Sequence, residues 1–228
     1  MKILAFDSST EYLSVAITTD DDVRLYECLA LQQHSSLLLP EVSKLLAEAG
    51  IALQQLDCIA FGAGPGSFTG LRIACSVAQG LAFGGDVPVV GISTLLAMAE
   101  ASGAQRVIAA MDARMGEIYH AAYEKKSTGW YEVVAPNLCK PEAAPAVSGA
   151  DWLGIGNGFS AHAILRTHYA QQLTRVEAEI FPHAQHILTL AKIELLAGRA
   201  VAAEFAAPVY IRNKVAMTHI EQQQSAKA

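Results

Sequence analysis

At 228 residues, 52% apolar and 17% charged, the chain has the composition of a compact globular protein of one or two domains. A net charge of −6 and a pI near 5.6 argue against a free-standing nucleic-acid binder, which needs a basic face, but allow a place in a complex whose other subunit holds the RNA. No apolar run reaches the roughly 18 residues needed to span a bilayer, and the run Ile3 to Phe6 is stopped at once by Asp7, so no secretory signal or membrane contact is expected and a soluble, cytoplasmic protein is.

Three strands are expected first, Ile3 to Asp7, Leu13 to Thr18 and Val23 to Leu29, separated by the polar clusters Ser8-Ser9-Thr10 and Asp20-Asp21-Asp22. His34 to Ala49 then carries helical periodicity, with Leu38, Val42, Leu45 and Ala49 on one stripe, Leu39 and Leu46 beside it, and Gly50 as its stop. A strand over 58–62, a glycine loop and a helix over about 68–83 follow, then a strand from Pro88 to Ile92 and a helix from Ser93 to Ala101. The order β-β-β-α-β-α-β-α is a signature of the ribonuclease-H-like fold.

The pattern then repeats. "ILAFDSST" at residue 3 is echoed by "IAAMDARM" at residue 108, each an apolar strand ending in aspartate, a tight turn and a second strand (Tyr12 to Ile17; Glu117 to Tyr123). Such self-similarity points to a duplicated unit. A third strand is expected near Trp130 to Val134, a Pro/Ala-rich connector from Ala135 to Ala150, a strand from Trp152 to Ile155, a helix from Ala184 to Ala197 and an extended piece from Pro208 to Ile211. The expected fold class is α/β, with tandem ribonuclease-H-like (actin-like ATPase) domains and mixed sheets. The domains fall at 1–104 and 105–215, with a frayed tail at 216–228.

The glycine loop "FGAGPGSFTGLRIA" invites a nucleotide reading, because orphan N–H groups at a helix start attract anions. It fits neither phosphate motif. Gly64 and Gly70 enclose five residues where a P-loop has four, and no Lys follows; the third glycine of a dinucleotide fingerprint is missing. The plainer reading is a tight turn with Ser67 as N-cap. Asp7 and Asp112 sit where aspartate-led hairpins grip phosphate and magnesium in proteins built of two such units. Those hairpins use glycine beside the aspartate; "DSSTE" has none and "DARMG" reaches its glycine only at Gly116. Hairpin capping competes with phosphate contact at both positions. "GIGNG" (Gly154 to Gly158) is a weaker loop of the same kind.

No catalytic constellation is legible. His34, His120, His162, His168, His183, His186 and His219 include no H-x-x-x-H pair, and His183 and His186 stand beside Pro182 with no carboxylate partner in view. No Ser lies in G-x-S-x-G, and no metal site is expected. Cys28, Cys58, Cys75 and Cys139 form no C-x-x-C pair and read as buried thiols of a reducing compartment. One helix stands out: Gly70, Ala74, Ala78 and Ala82 recur every four residues, a small stripe that lets another backbone approach closely. Together with the apolar surplus of the 34–49 helix, where Leu37 falls outside the main stripe, this suggests an interface of Leu37, Leu38, Glu41, Val42, Leu45, Gly70, Leu71, Ala74 and Ala78, with burial against the sheet as the alternative.

"ILAFDSSTEYLSVAI", "HSSLLLPEVSKLL", "GAGPGSFTGLRIACSVAQGLA", "VVGISTLLAMA" and "MDARMGEIY", with a fainter "PVYIRNKV", resemble the bacterial TsaB (YeaZ) family. The resemblance implies a non-catalytic partner in making N6-threonylcarbamoyladenosine beside the anticodon of tRNAs that read codons starting with A. It implies a TsaD-like transferase carrying the metal-binding histidines, a TsaE-like ATPase, and first-domain helices that mediate homodimer and heterodimer contacts. It implies no cofactor of the chain's own, ATP and magnesium being used by the complex, and tRNA contact only through that complex. Vestigial phosphate contacts at Asp7 and Asp112 fit this picture. The family is often grouped with glycoprotease homologues, yet no nucleophile–base pair is present here. An independent ATPase or small-molecule kinase of the same superfamily is the alternative.

Overall fold

The central strands of the molecule are apolar on both faces, and the layering follows from that. In the computed structural model, which describes residues 1–20 and 22–212, β1 (Lys2–Asp7) turns Leu4 and Phe6 to one core and Ile3 and Ala5 to another. A strand buried on both sides needs cover on both sides. It is flanked by β2 (Tyr12–Thr19), β3 (Asp22–Leu29), β4 (Cys58–Gly64) and β5 (Val89–Ser93) in the order β3-β2-β1-β4-β5. β1–β2 and β2–β3 are antiparallel, whereas β1–β4 and β4–β5 are parallel.

The second sheet repeats this plan. β6 (Arg106–Asp112), β7 (Ile118–Lys126), β8 (Gly129–Cys139), β9 (Trp152–Ile155) and β10 (Leu173–Glu177) lie in the order β10-β9-β6-β7-β8. β6–β7 and β7–β8 are antiparallel, and β6–β9 and β9–β10 are parallel. Strand for strand it is the first sheet again, with β1 answered by β6, so Asp7 and Asp112 end equivalent strands.

Five layers result. Helices α1 (His34–Ala49) and α2 (Phe68–Gly85) cover the outer face of the first sheet, with Leu38, Val42, Leu45, Ala74, Ala78 and Ala82 in that core. Between the sheets lie α3 (Thr94–Ser102), which sends Leu95, Met98 and Ala99 into the second sheet, and α6 (Ala184–Leu196), which sends Ile187, Leu188 and Ala191 into the first. The short helices α4 (Gly158–Ala161) and α5 (Ile164–His168), with Ala144 and Val147, close the far face. Each half therefore lends a helix to the other's sheet: α6 follows the second sheet in sequence but completes the core of the first.

Several elements differ from expectation. β8 runs on to Cys139, into the segment read as connector, and Pro136 is tolerated because β8 is an edge strand whose missing N–H bonds no neighbour. α4, α5 and β10 are too short for periodicity to reveal. Residues 208–211 form no strand, though the Val209 amide donates to the Ala63 carbonyl at 2.7 Å. The tail at 216–228 lies outside the described residues.

The small stripe of α2 also needs correcting. Gly70, Leu71, Ala74, Ala78 and Ala82 are buried in the chain's own core, as are Leu38, Val42 and Leu45 of α1. Within this chain they face its own sheet and turn. The reason is steric: a Cβ on Gly70 would stand 1.8 Å from the Ser8 carbonyl oxygen, and one on Gly66 2.7 Å from the Ser9 carbonyl oxygen. The backbone that approaches α2 so closely is the β1–β2 turn. Of the expected interface, only Leu37 and Glu41 stay partly exposed.

His183 has a carboxylate partner after all. Its Nδ1 lies 2.6 Å from Glu27 Oε1 on β3, and the same oxygen accepts from Ser14 Oγ at 2.7 Å. Ser14 Oγ in turn accepts from the Ala184 amide at 2.8 Å, so this cluster pins the start of α6 to the first sheet. The His183 bond holds Glu27 below its ordinary value of 4.5, and Glu27 raises His183 above 6.5.

Two predictions follow from this packing. Ala78→Leu overpacks the first core and costs about 1–3 kcal/mol, read as a drop in Tm of about 2–4 °C per kcal/mol; an unchanged Tm would mean the position has room. For His183→Ala the deficit against wild type depends on pH. The raised histidine stabilises fully below 6.5 and loses that contribution as pH climbs through its folded value; the lowered glutamate stabilises fully above 4.5 and loses it on acidification through its folded value. The deficit in urea denaturation is thus largest between pH 4.5 and 6.5 and shrinks on either side; a pH-independent deficit would show that no charged pair is lost.

Candidate functional site

The two sheets meet at an open cleft of about 700 Å³, lined from both halves. The first half contributes Ser9, Thr10 and Glu11 of the β1–β2 turn, with Gly66, Ser67 and Phe68 at the start of α2. The second contributes Asp112, Arg114 and Met115 of the β6–β7 turn, with Tyr119, Asn157 and Arg212. The duplicated plan explains the meeting point, because each aspartate turn leaves the same end of its sheet.

The equivalent aspartates have different surroundings. Asp7 is 1% exposed and does not line the cleft. Its Oδ1 accepts from the Ser9 amide at 2.9 Å and from Ser9 Oγ at 2.8 Å, an Asx-type closure of the hairpin. Oδ2 is buried with no hydrogen-bond partner and rests over Gly62, where an added Cβ would stand 1.8 Å away. Burial pushes this carboxyl up to about 6, against the opposing pull of the two Ser9 bonds and the His183 charge. Asp112 does reach the cleft. Its Oδ1 accepts from the Arg114 amide at 3.2 Å and lies 3.2 Å from His162 Nε2, while its own amide donates to Asn157 Oδ1 at 2.9 Å.

Both glycine loops pack closely on neighbouring backbone. Ser67 caps α2 by accepting from the Gly70 amide at 3.4 Å, and its own amide donates to the Ser9 carbonyl at 2.7 Å. Ser8 Oγ donates to the Gly70 carbonyl at 2.8 Å. In the second loop, a Cβ on Gly156 would stand 2.4 Å from the Ala110 carbonyl oxygen, and one on Gly158 2.9 Å from the same atom. Gly66 and Gly70 thus lie against the β1–β2 turn, and Gly156 and Gly158 against β6.

The structure thus unites Asp112 with Asn157 of "GIGNG" and leaves Asp7 behind the wall. Sequence reasoning missed Arg114, His162 and Arg212. Arg114 was legible as the polar middle of "DARMG", whereas His162 and Arg212 come 50 and 98 to 99 residues away from their turn partners, with no local signal. Among the described residues no group of three or more His, Cys, Asp or Glu side chains is placed to hold a metal ion. No helix among them is long and apolar enough to cross a membrane.

The Asp7 carboxyl yields a pH-dependent prediction. Its folded value, about 6, lies above its ordinary 3.8, so the native state binds the extra proton and stability falls as pH rises between those values. Asp7→Asn removes that loss, and the variant gains on wild type from pH 4 to pH 8 by on the order of 2–3 kcal/mol. Urea melts at both pH values measure it; a gap that does not grow would mean that Asp7 is already ionised at pH 4.

The family described as "TsaD: tRNA N6-adenosine threonylcarbamoyltransferase" matches residues 28–220. The tRNA threonylcarbamoyladenosine biosynthesis protein TsaB of Escherichia coli is 40% identical over 225 residues, covering 95% of this chain and 96% of its own. The TsaB of Haemophilus influenzae is 36% identical, covering 94% and 95%. Among solved structures, YeaZ from Pseudomonas aeruginosa superposes with a TM-score of 0.83 at 38% identity over 92% of this chain and 99% of its own. A second Pseudomonas aeruginosa structure, described as an uncharacterized protein with similarity to peptidase YEAZ, gives 0.86 at the same identity and coverage. With its duplicated five-stranded sheets and near full-length identity to these relatives, the chain belongs to the TsaB (YeaZ) family.

Proposed function

We propose that this chain is the non-catalytic partner subunit of the bacterial complex that forms N6-threonylcarbamoyladenosine next to the anticodon of tRNAs reading codons starting with A. In this reading it binds and activates a TsaD-like transferase, works with a TsaE-like ATPase, pairs with itself when alone and meets tRNA only through the complex. ATP and magnesium are used by the complex, not by a site of this chain. The observation that carries the reading is the 40% identity to a TsaB over 95% of the chain. The cleft agrees with it, because Gly66 on its wall lies against the Ser9 backbone and Asp112 stands there without Asp7, which is buried.

The partner surface is then the outer face of α2 rather than its small stripe. Thr69, Arg72 and Ser76 are exposed there, Ile73 and Val77 are half-buried, and with Ser35 of α1 they line a groove of about 450 Å³. Leu37 and Glu41 extend the α1 side of this face. The second reading, an independent ATPase or small-molecule kinase, draws on the open cleft with Asp112, Ser9 and Ser67 on its walls.

Reconstitution decides between them. With a TsaD-like transferase, a TsaE-like ATPase, preformed threonylcarbamoyl-adenylate, ATP and tRNA, leaving out this chain abolishes the modified nucleoside in a digest, while the chain alone turns over no ATP. Ser76→Arg places a charge on the outer face; it weakens complex formation in sedimentation by about tenfold or more with Tm unchanged. Robust ATP turnover by the pure chain, lost in Asp112→Asn, would favour the kinase reading instead.

A further inference from the structure

Residues 206–212 form no helix or strand, yet they touch both halves of the molecule. At the α2 end, Gln79 Nε2 donates to the Ala206 carbonyl at 2.9 Å and the Val209 amide donates to the Ala63 carbonyl at 2.7 Å. The Arg72 guanidinium lies 3.8 Å over the Phe68 ring and donates from Nε to the Tyr210 hydroxyl at 2.9 Å, and the Phe68 and Tyr210 rings are 5.4 Å apart. Two residues later Arg212 enters the second half. It donates to the Ala113 carbonyl at 2.9 Å and the Arg114 carbonyl at 3.4 Å, and pairs with Glu117 Oε2 at 2.8 Å. Its side chain is only 12% exposed.

The fold makes room for this crossing. Gly64 has φ +123, and a Cβ there would stand 2.7 Å from the Val209 carbonyl oxygen. A side chain at 64 would lift the segment off the first half, so this glycine serves the crossing as well as the turn. Within the span from Tyr210 to Arg212 the chain is two residues long and has little slack. Displacing one anchor must pull on the other.

We infer that residues 206–212 are a tether that couples the outer face of α2 to the β6–β7 turn at the cleft. Whatever lifts Tyr210 off Arg72 and Phe68 loosens the turn that carries Arg114 and Met115, and whatever moves that turn strains the contacts on α2. The coupling is reciprocal, because linkage between two sites is symmetric in free energy. It is a property of the isolated chain and holds whichever molecule docks on either side.

Hydrogen exchange on the full-length protein tests it. The reporters are the amides of Ala113 and Glu117, which donate to Glu117 and Arg114 carbonyls within the turn, and the Val209 amide on Ala63. Tyr210→Ala, which removes no contact to the turn, should speed exchange at Ala113 and Glu117 about tenfold, and Arg212→Gln should do the same at Val209. Exchange at the buried β1 amides, unchanged, certifies the fold. If Tyr210→Ala destabilises the whole chain, Tyr210→Phe deletes only the hydroxyl and should give the same cross-effect at reduced size. Variants that speed exchange only at their own end, or at neither, would overturn the tether.

Discussion

The rest of the molecule is arranged around the close approach of the glycine loop to the β1–β2 turn. Ser67 donates to the Ser9 carbonyl and Ser8 Oγ donates to the Gly70 carbonyl, so two bonds stitch the start of α2 to the turn after β1. The stitch is possible only because Gly66 and Gly70 lack a Cβ where the turn's backbone passes. It fixes the entry angle of α2, which then has to be lined with alanine along its inner face to lie close to the sheet. It also seals the wall behind which Asp7 sits. A phosphate cradle needs the same backbone groups free. Here two of them, the Ser67 and Gly70 amides, are used internally.

The second half solves the same problem with different residues. β4 and β9 occupy equivalent places beside β1 and β6, and each is followed by a glycine loop and a helix. "GAGPGSFTG" and "GIGNG" are therefore counterparts, although in sequence they look like unrelated motifs. In the first loop Gly66 and Gly70 meet the Ser8-Ser9 turn; in the second Gly156 and Gly158 meet Ala110 of the strand itself. α2 has 18 residues and α4 has four, so the second loop leads to little that needs precise seating. The duplication kept the topology and relaxed the packing.

Much of this was legible because the first half is built of long, periodic elements. β1 and β4 are buried on both faces and read as unbroken apolar runs, α1 announces itself by spacing, and Ser67 and Ser93 mark helix starts by side-chain chemistry. The "ILAFD" and "IAAMD" echo fell on truly equivalent strands. What was not legible was direction and distance. A small-residue stripe says that something comes close, but not what, and here it was the chain's own turn at Gly70 and its own sheet core at Ala74, Ala78 and Ala82. Glu27 and His183 are 156 residues apart, and only the return of α6 to the first sheet makes them neighbours. α5 and β10, at five residues each, carry too little pattern to be found.

The two aspartates show how far duplication constrains function. Their strands are equivalent and each closes a tight turn, so sequence alone gives them one role. Their surroundings separate them. Asp7 faces Gly62 and two Ser9 donors in a sealed core, and burial raises its proton affinity. Asp112 stands on the cleft wall with the Arg114 amide and His162 beside it, and the Arg114 guanidinium lies 3.6 Å from its Oδ2. A carboxyl in the first setting is favoured without its charge, because the core withholds the water that would solvate the anion. The pseudo-symmetric cleft is thus chemically one-sided. The packing of α2 against Ser8 and Ser9 goes with an Asp7 carboxyl kept in the core, while that of Asp112 stands on the cleft wall.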